Sequence, residues 1–118
     1  MTVEIMKPLA SAHVAAEVTG LSRDKITVVG GPYQSGTVLG EKADGTFKQL
    51  DLAPDATEAN VAKAALLGHV DTANAVQALA HFRVCALYDT RLIWPDGINA
   101  QQKIDATAAL AQSHVVLR

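Results

Sequence analysis

The sequence predicts a mainly β protein of the α+β class, with a single helix near its C-terminus. Residues 26–29 are rich in β-branched side chains and stop at a glycine-rich turn, a pattern typical of strands. Apolar residues alternate along residues 76–88, whereas helical spacing follows only after Asn99. No helical segments separate successive strands, so we expect no repeated βαβ unit.

The first half of the chain predicts three strands. Residues 26–29 form the first and residues 37–40 the second. Asp44-Gly45 tolerates the positive φ angles of a type I′ turn and therefore predicts a hairpin into residues 46–50. A loop is expected at residues 51–58.

The middle of the chain contains one ambiguous segment and one clear one. Residues 60–67 favour a helix by propensity, although Gly68 ends the run after about two turns. Residues 76–88 have period two, which predicts a long strand or two strands around a bend. The alternation predicts one face with Val76, Ala78, Ala80, Phe82, Val84 and Ala86, and an opposite face with Gln77, His81 and Arg83.

The C-terminal segment predicts a capped helix and a last strand. Asn99 is a plausible N-cap, with Gln102 three residues later as in a capping box. His114 lies at or just past the expected helix end, and residues 115–117 form the last strand. The buried helix face is expected to carry Ile104, Ala108 and Ala111, with Leu110 on its flank.

Residues 1–20 form a separate segment. Val3 and Ile5 alternate with polar neighbours, a strand-like pattern that Pro8 interrupts. Residues 10–18 are alanine-rich and have weak helical spacing. Two interpretations stay open: a frayed terminus, or an arm that becomes ordered only on a partner.

Length and composition indicate one soluble domain. Its 118 residues carry a net charge of −2 without a basic run, which argues against nucleic-acid binding. The single cysteine, Cys85, excludes an internal disulfide and fits a reducing compartment. No signal-peptide pattern and no run near the roughly 20 apolar residues of a membrane span is found, so we expect an intracellular protein without a membrane partner.

The core is expected to be thin. Aromatic residues make up only 4 % of the chain, so the core must be built from Ala, Val, Leu and Ile. Many short apolar side chains of this kind suggest that a partner subunit completes part of the buried surface.

The glycine-rich run of residues 30–36 does not form a convincing phosphate or hydrolase site. It lacks the Lys-Ser/Thr pair of a phosphate loop, and a strand is expected after it rather than a helix. Ser35 does not stand in the Gly-x-Ser-x-Gly pattern of a nucleophile elbow. A plain turn is the favoured interpretation.

Histidine, cysteine and aspartate positions also predict no catalytic, metal or cofactor site. The four histidines have no metal-ligand spacing and are expected at the surface or on strand faces: His13, His69, His81 and His114. Cys85 is expected to be a small buried residue, although Arg83 keeps a reactive thiol as a weak alternative. Asp89 and Asp96 are explained by turns and capping.

Trp94 is the only tryptophan, and Pro95 follows it. The proline restricts Trp94 to an extended conformation, which largely presets the direction of the indole. We interpret Trp94 and Pro95 as a structural anchor that joins helix and strands. An interface anchor is the alternative, because tryptophan is enriched at binding hot spots.

Over roughly residues 22–118 the sequence resembles the lambda-type phage head decoration protein family (head decoration protein D). Each matching motif is weak alone, but their order and spacing are fairly specific. The strongest is the segment Leu92-Ile93-Trp94-Pro95-Asp96-Gly97, with the helix and Val115-Val116-Leu117-Arg118 after it. The others are Ser35-Gly36-Thr37-Val38-Leu39-Gly40, Asp44-Gly45 with Leu50-Asp51, and Gly68-His69-Val70-Asp71.

The resemblance implies a β-clip-like fold with a small helical subdomain in residues 21–118 and a flexible N-terminal arm in residues 1–20. It also makes residues 62–70 a strand, and we adopt that over the helical propensity. Family members form homotrimers outside the expanded capsid at three-fold positions and cement it against the pressure of packaged DNA.

The expected partners are therefore the major capsid protein and further copies of the chain. The expected location is the outer surface of the virion head, after the host cytoplasm during assembly. In the family the arm adds a strand to the shell protein, a role that falls here on Thr2, Val3, Glu4, Ile5 and Met6.

An enzyme is the alternative from another class: a small trimeric β-clip-like hydrolase acting on nucleotides. It would need a carboxylate-rich metal-binding loop and an aromatic residue that stacks on the base. Only Tyr33, beside the glycine-rich turn, points that way. We therefore expect a structural protein without catalytic activity.

Overall fold

The computed structural model describes residues 11–118, which form a closed five-stranded barrel, a separate three-stranded sheet and one α-helix. The predicted mainly β fold with a small helical part is confirmed. The strands are β1 Val14–Glu17, β2 Arg23–Val28, β3 Val38–Glu41, β4 Phe47–Gln49, β5 Ala62–Leu67, β6 Val76–His81, β7 Cys85–Leu87 and β8 Val115–Leu117. The α-helix α1 spans Ala100–Ala111, and a short 3₁₀ helix spans Asp89–Arg91.

The barrel closes in the order β2-β4-β3-β5-β6, with β6 pairing back onto β2. All pairs are antiparallel except β2 with β4, which run parallel. Leu39 and Leu66 are fully buried inside with Phe47, and the partly buried Phe82 packs against this cluster with its ring centroid 5.4 Å from that of Phe47. The thin aliphatic core expected from the composition therefore carries one edge-to-face aromatic contact.

Strands β3 and β4 form the predicted hairpin. Gly45 has a φ angle of 86°, which glycine adopts without strain, and the Thr46 amide donates to Oδ1 of Asp44 at 3.0 Å. Close packing continues at Gly40, where a Cβ atom would lie 2.4 Å from the carbonyl oxygen of Ala59. Only glycine fits there.

Residues 62–67 form a strand, as the family resemblance implied and against their helical propensity. β5 lies between β3 and β6 and pairs with both. Ala64, Ala65 and Leu66 are completely buried, because their small side chains face the interior on both sides of the strand. Burial in the sheet outweighs an intrinsic helix preference of a few tenths of a kcal/mol per residue.

Residues 76–88 form two strands around a bend, one of the two predicted arrangements. The alternation holds along β6, but it is wrong beyond the bend, where Cys85 and Leu87 are buried instead of Val84 and Ala86. Val84 has a φ angle of 49°, which shifts the side-chain alternation by one residue. His81 is also buried, contrary to its expected place on the polar face.

The second sheet has the order β1-β7-β8. β1 contradicts the helical spacing expected for residues 10–18: Val14–Glu17 is an edge strand antiparallel to β7. The alanines that favour a helix are exposed along this strand, so pairing with β7 decides the conformation. The predicted last strand is confirmed as β8, which runs parallel to β7.

The helix begins as predicted but turns a different face to the core. Asn99 Oδ1 accepts from the Gln102 amide at 2.8 Å, and Gln102 Oε1 accepts from the Asn99 amide at 3.0 Å, a complete capping box. Ala106 and Leu110 are the buried residues. The expected face was wrong, since Ile104 is 61 % exposed and Ala108 and Ala111 are exposed as well.

The packing of α1 on the strands beneath it decides which helix face is buried. α1 packs on β5 and β8, and Leu110 enters a cluster with Val38, Leu87 and Val115. A small residue at Ala106, one turn earlier, lets the helix approach. The C-terminal end of α1 turns at the exposed His114, which lies past the helix with a φ angle of 61°.

Candidate functional site

The predicted site residues lie in two parts of the chain. Thr2, Val3, Glu4, Ile5 and Met6 fall outside the residues that the structure describes. Trp94 and Pro95 lie in the segment between the 3₁₀ helix and α1. The described part that connects to the predicted arm is β1.

Trp94 is half-buried and packs against the cluster under α1. Its indole Nε1 donates to Oδ1 of Asp89 at 3.2 Å, and the Lys103 Nζ atom lies 5.4 Å from the ring centroid. Lys103 also reaches Asp89, at 3.1 Å from the same Oδ1 atom. The indole is therefore held by packing on one side and by a cation on the other.

Backbone hydrogen bonds join the Trp94 segment to the barrel. The Ile93 amide donates to the Gly36 carbonyl at 2.9 Å, and the Val38 amide donates to the Ile93 carbonyl at 3.1 Å. This isolated bridge lies one residue before β3 begins. The position of Trp94 is consequently fixed relative to both the barrel and α1.

β1 is fixed at both ends by polar contacts rather than by apolar burial. The Tyr88 amide donates to the His13 carbonyl at 2.7 Å at one end. At the other end the Val18 amide donates to Ser22 Oγ at 2.8 Å, and that hydroxyl donates to the Val84 carbonyl at 2.8 Å. These contacts hold residues 13–18 against β7 and the barrel.

Two buried histidines meet beneath β1, contrary to the expectation that the histidines lie at the surface. His13 and His81 are 1 % and 0 % exposed, and their rings form an edge-to-face pair with centroids 5.8 Å apart. Distance along the sequence hid the pair, because residues 13 and 81 approach only through the pairing of β1 and β7. Burial first, and the neighbouring His81 second, lower the pKa of His13 to about 4.

A carboxylate completes this group. His81 Nε2 lies 2.6 Å from Glu17 Oε2, and Arg23 binds the same carboxylate through Nε at 2.9 Å and a second nitrogen at 2.5 Å. Hydrogen bonds from Arg23, and then from His81, lower the pKa of Glu17 to about 2. Glu17 is therefore ionised throughout the physiological range.

Cys85 is buried, as predicted, and its environment makes it a poor nucleophile. Burial, with a smaller contribution from Glu17, raises the pKa of the thiol to about 11. Arg83 does not activate it. Its guanidinium binds the carboxylate of Asp24 and donates to the Leu21 carbonyl at 2.9 Å.

The glycine-rich turn and Tyr33 have structural contacts. The Tyr33 hydroxyl donates to the Val29 carbonyl at 2.9 Å and accepts from the Gln49 amide at 3.2 Å. A Cβ atom at Gly31 would lie 2.5 Å from the carbonyl oxygen of Thr72, which explains the glycine by close backbone approach. Ser35 Oγ accepts from the Gly68 amide at 2.9 Å.

Residues 11–118 contain no cluster of three or more His, Cys, Asp or Glu side chains arranged to hold a metal ion. None of the helices in that range is long and apolar enough to cross a membrane. The sequence predicted roles in turns and caps for Asp89 and Asp96. Asp89 has a further role in the structure, because its carboxylate binds the Trp94 indole and Lys103.

Comparison with known families identifies the chain. The family described as Bacteriophage lambda head decoration protein D matches residues 5–115. The chain belongs to the lambda head decoration protein D family. No curated protein sequence matches it.

The family match extends over the barrel, β7, α1 and the start of β8, and it begins inside the predicted arm. The chain is thus a phage head decoration protein, a structural protein that associates with the capsid of the virion. The Trp94 segment, the strongest motif of the sequence, lies within the matched range.

Proposed function

We propose that this head decoration protein binds the outer surface of the expanded phage head as homotrimers at its three-fold positions, and that it stabilises the shell against the pressure of packaged DNA. The observation that carries the proposal is the family match over residues 5–115. The major capsid protein and two further copies of the chain are the partners. Nucleic acid and membrane are not, and the protein is in the host cytoplasm before it joins the head.

We assign capsid binding to the N-terminal arm, and specifically to Thr2, Val3, Glu4, Ile5 and Met6. Alternation of Val3 and Ile5 with polar residues suits an added strand, in which backbone hydrogen bonds give affinity and alternate side chains give specificity. β1 is part of the sheet with β7, so the portion of residues 1–20 that is available to bind a shell ends before it.

Trimer formation gives a short arm enough affinity. Ordering a short strand on a partner loses conformational entropy that the new contacts must first offset. Three arms on one trimer make the later contacts intramolecular, and avidity then gains roughly 10²–10⁴-fold. Only a shell that presents three sites with the spacing of the trimer obtains the full gain, which makes binding selective for the expanded form.

We further propose that the protein acts without catalysis. Tyr33, the candidate for stacking on a base, is held in the fold by the hydrogen bonds of its hydroxyl, and Cys85, the weak candidate for a reactive thiol, is buried. Purified protein incubated with nucleoside triphosphates and Mg²⁺ is expected to release no pyrophosphate above the buffer rate. Metal-dependent release that co-purifies with the protein would contradict this part of the proposal.

A variant lacking residues 2–10 tests the arm, because this deletion leaves β1 intact. We expect a folded trimer, by circular dichroism and light scattering, that no longer co-sediments with expanded shells. Point variants refine the test: V3D with I5D places two charges on one face of the predicted strand, whereas T2D with M6D places two on the other. The first pair is expected to weaken binding more, and full binding by the truncated protein would contradict the arm assignment.

A further inference from the structure

A polar group made of the buried His13 and His81 and the more exposed Glu17 and Arg23 connects an edge strand to the barrel. His13 directly precedes β1, Glu17 ends it, Arg23 begins β2 and His81 ends β6. β1 itself is short and pairs only with β7, with an irregular register between Val14 and Ala16. Its side chains from Ala15 onward are exposed, so little apolar burial holds it.

Glu17 and His13 differ in the number of polar partners that they have. Glu17 receives His81 and Arg23, so its negative charge is compensated twice. His13 has no carboxylate beside it: the ring faces the edge of the His81 imidazole and the Cα of Gly36, where a Cβ would come 3.5 Å from the ring. Within residues 11–118, Nε2 of His13 and Nδ1 of His81 have no hydrogen-bond partner.

Protonation of His13 is consequently unfavourable while β1 is in place. A charge on its ring would be buried, unpaired and next to a second imidazole, that of His81. Arg23 and Glu17 lie on the other side of His81, and Cys85 on β7 is a neutral thiol. When β1 detaches from the sheet, His13 becomes exposed to water, and protonating its ring no longer requires burying an unpaired charge.

We propose that His13, together with the Arg23–Glu17 ion pair and the contact between His81 and Glu17, forms an acid-sensitive clasp that fixes β1 to the barrel and lets this strand alone detach at mildly acidic pH. The clasp acts on the strand that directly follows the proposed arm, so its opening lengthens the tether between arm and barrel. It is a property of the isolated protein, and its test needs no shell.

The pH range follows from the direction of the shifts. The pKa of His13 is about 4 with β1 docked and near its ordinary value of 6.5 with β1 detached, so the detached form binds more protons between these values. Detachment is therefore favoured as the pH falls through this window, by about twentyfold between pH 7 and pH 5 and about a hundredfold by pH 4. Glu17, with a pKa of about 2 while β1 is docked, stays ionised in the docked form over this range, so its contacts with Arg23 and His81 are lost only when β1 detaches.

Amide hydrogen exchange measured by NMR on the full chain separates local detachment from unfolding. The Tyr88 amide donates to the carbonyl of His13, directly before β1, whereas the Arg118 amide, directly after β8, donates to the Leu87 carbonyl on β7. After correction for intrinsic exchange rates, the Tyr88 protection factor is expected to fall about twentyfold from pH 7 to pH 5, while Arg118 keeps its protection. Equal protection of Tyr88 at both values, or parallel loss at Arg118, would overturn the clasp.

Two further measurements show whether His13 itself causes the pH dependence. The H13F variant retains a buried aromatic ring but cannot be protonated, so its Tyr88 protection is expected to be independent of pH; H114Q, at an exposed histidine, should behave like the natural protein. If H13F does not fold, the imidazole resonances of the natural protein decide, because the clasp requires His13 to titrate below pH 5. A His13 titration near pH 6.5, or an unchanged fall in H13F, contradicts the proposal.

Discussion

The indole nitrogen of Trp94 donates a hydrogen bond to Oδ1 of Asp89 at 3.2 Å, and Lys103 binds the same oxygen from the first turns of α1. One carboxylate thus connects the 3₁₀ helix, the Trp94-Pro95 segment and the helix. The tryptophan stands out in the sequence, whereas Asp89 was expected only to form a turn or a cap. The contact makes Asp89 the residue through which the anchor role of Trp94 is best tested.

The first prediction concerns this contact. D89A removes the acceptor of both Trp94 and Lys103, and we expect the free energy of unfolding to fall by about 1–2 kcal/mol, because the pair is partly exposed and screened. Urea unfolding followed by Trp94 fluorescence measures it. D96A, at an exposed acidic residue two positions after Trp94, is the matched control and should change stability by less than about 0.5 kcal/mol. If D89A and D96A lowered the free energy of unfolding equally, the contact with Asp89 would not contribute to anchoring Trp94.

The second prediction compares two faces of one helix. L110A empties a fully buried site and is expected to destabilise the protein by about 2–4 kcal/mol, whereas I104A should have an effect below about 1 kcal/mol, since Ile104 is 61 % exposed. Urea unfolding of both variants at a concentration that keeps them in one oligomeric state gives the comparison. A larger loss in I104A would restore the face that sequence spacing predicted.

Sequence spacing identified the helix, its N-cap Asn99 and most strands, but not which helix face is buried. Ile104, Ala108 and Ala111 have regular helical spacing, yet the core reaches α1 only through the strip that contains Ala106 and Leu110. Which residues of α1 are buried depends on β5 and β8, because these strands come from distant parts of the chain and pack against the helix. The pattern of one helix therefore does not show which of its faces the neighbouring strands cover.

The same limit applies to the polar cluster under β1. His13 and His81 are far apart in sequence, and each alone is typical of a surface histidine. Their contact depends on β1 pairing with β7, and propensity predicted a helix at β1. By contrast, local signals such as the Asp44-Gly45 turn and the Asn99 cap were sufficient, because their hydrogen bonds close within a few residues.

The third prediction concerns Cys85. With a pKa of about 11 and a buried side chain, the thiol is expected to react with an aromatic disulfide reagent at pH 8 at least 10²-fold more slowly than in urea-unfolded protein. Release of the coloured thione measures the rate. Reaction as fast as in the unfolded chain would show a reactive thiol and revive the alternative that Arg83 activates it.

The fourth prediction tests avidity. Mixed trimers are prepared from full-length chains and chains lacking residues 2–10, separated by a tag on one of them. Binding to expanded shells should weaken stepwise with each missing arm, with a total loss of roughly 10²–10⁴-fold from three arms to one. Equilibrium sedimentation with labelled protein gives the constants. Equal binding by one-armed and three-armed trimers would show that the arms do not act together.

The central claim is that the protein decorates the expanded phage head. It is tested most directly by mixing the purified protein with expanded and with unexpanded shells assembled from the capsid protein of the same phage, and by measuring how much sediments with each. We expect saturable binding to expanded shells at three copies per three-fold position and little binding to unexpanded ones. Absence of binding to expanded shells, or equal binding to both forms, would contradict the account.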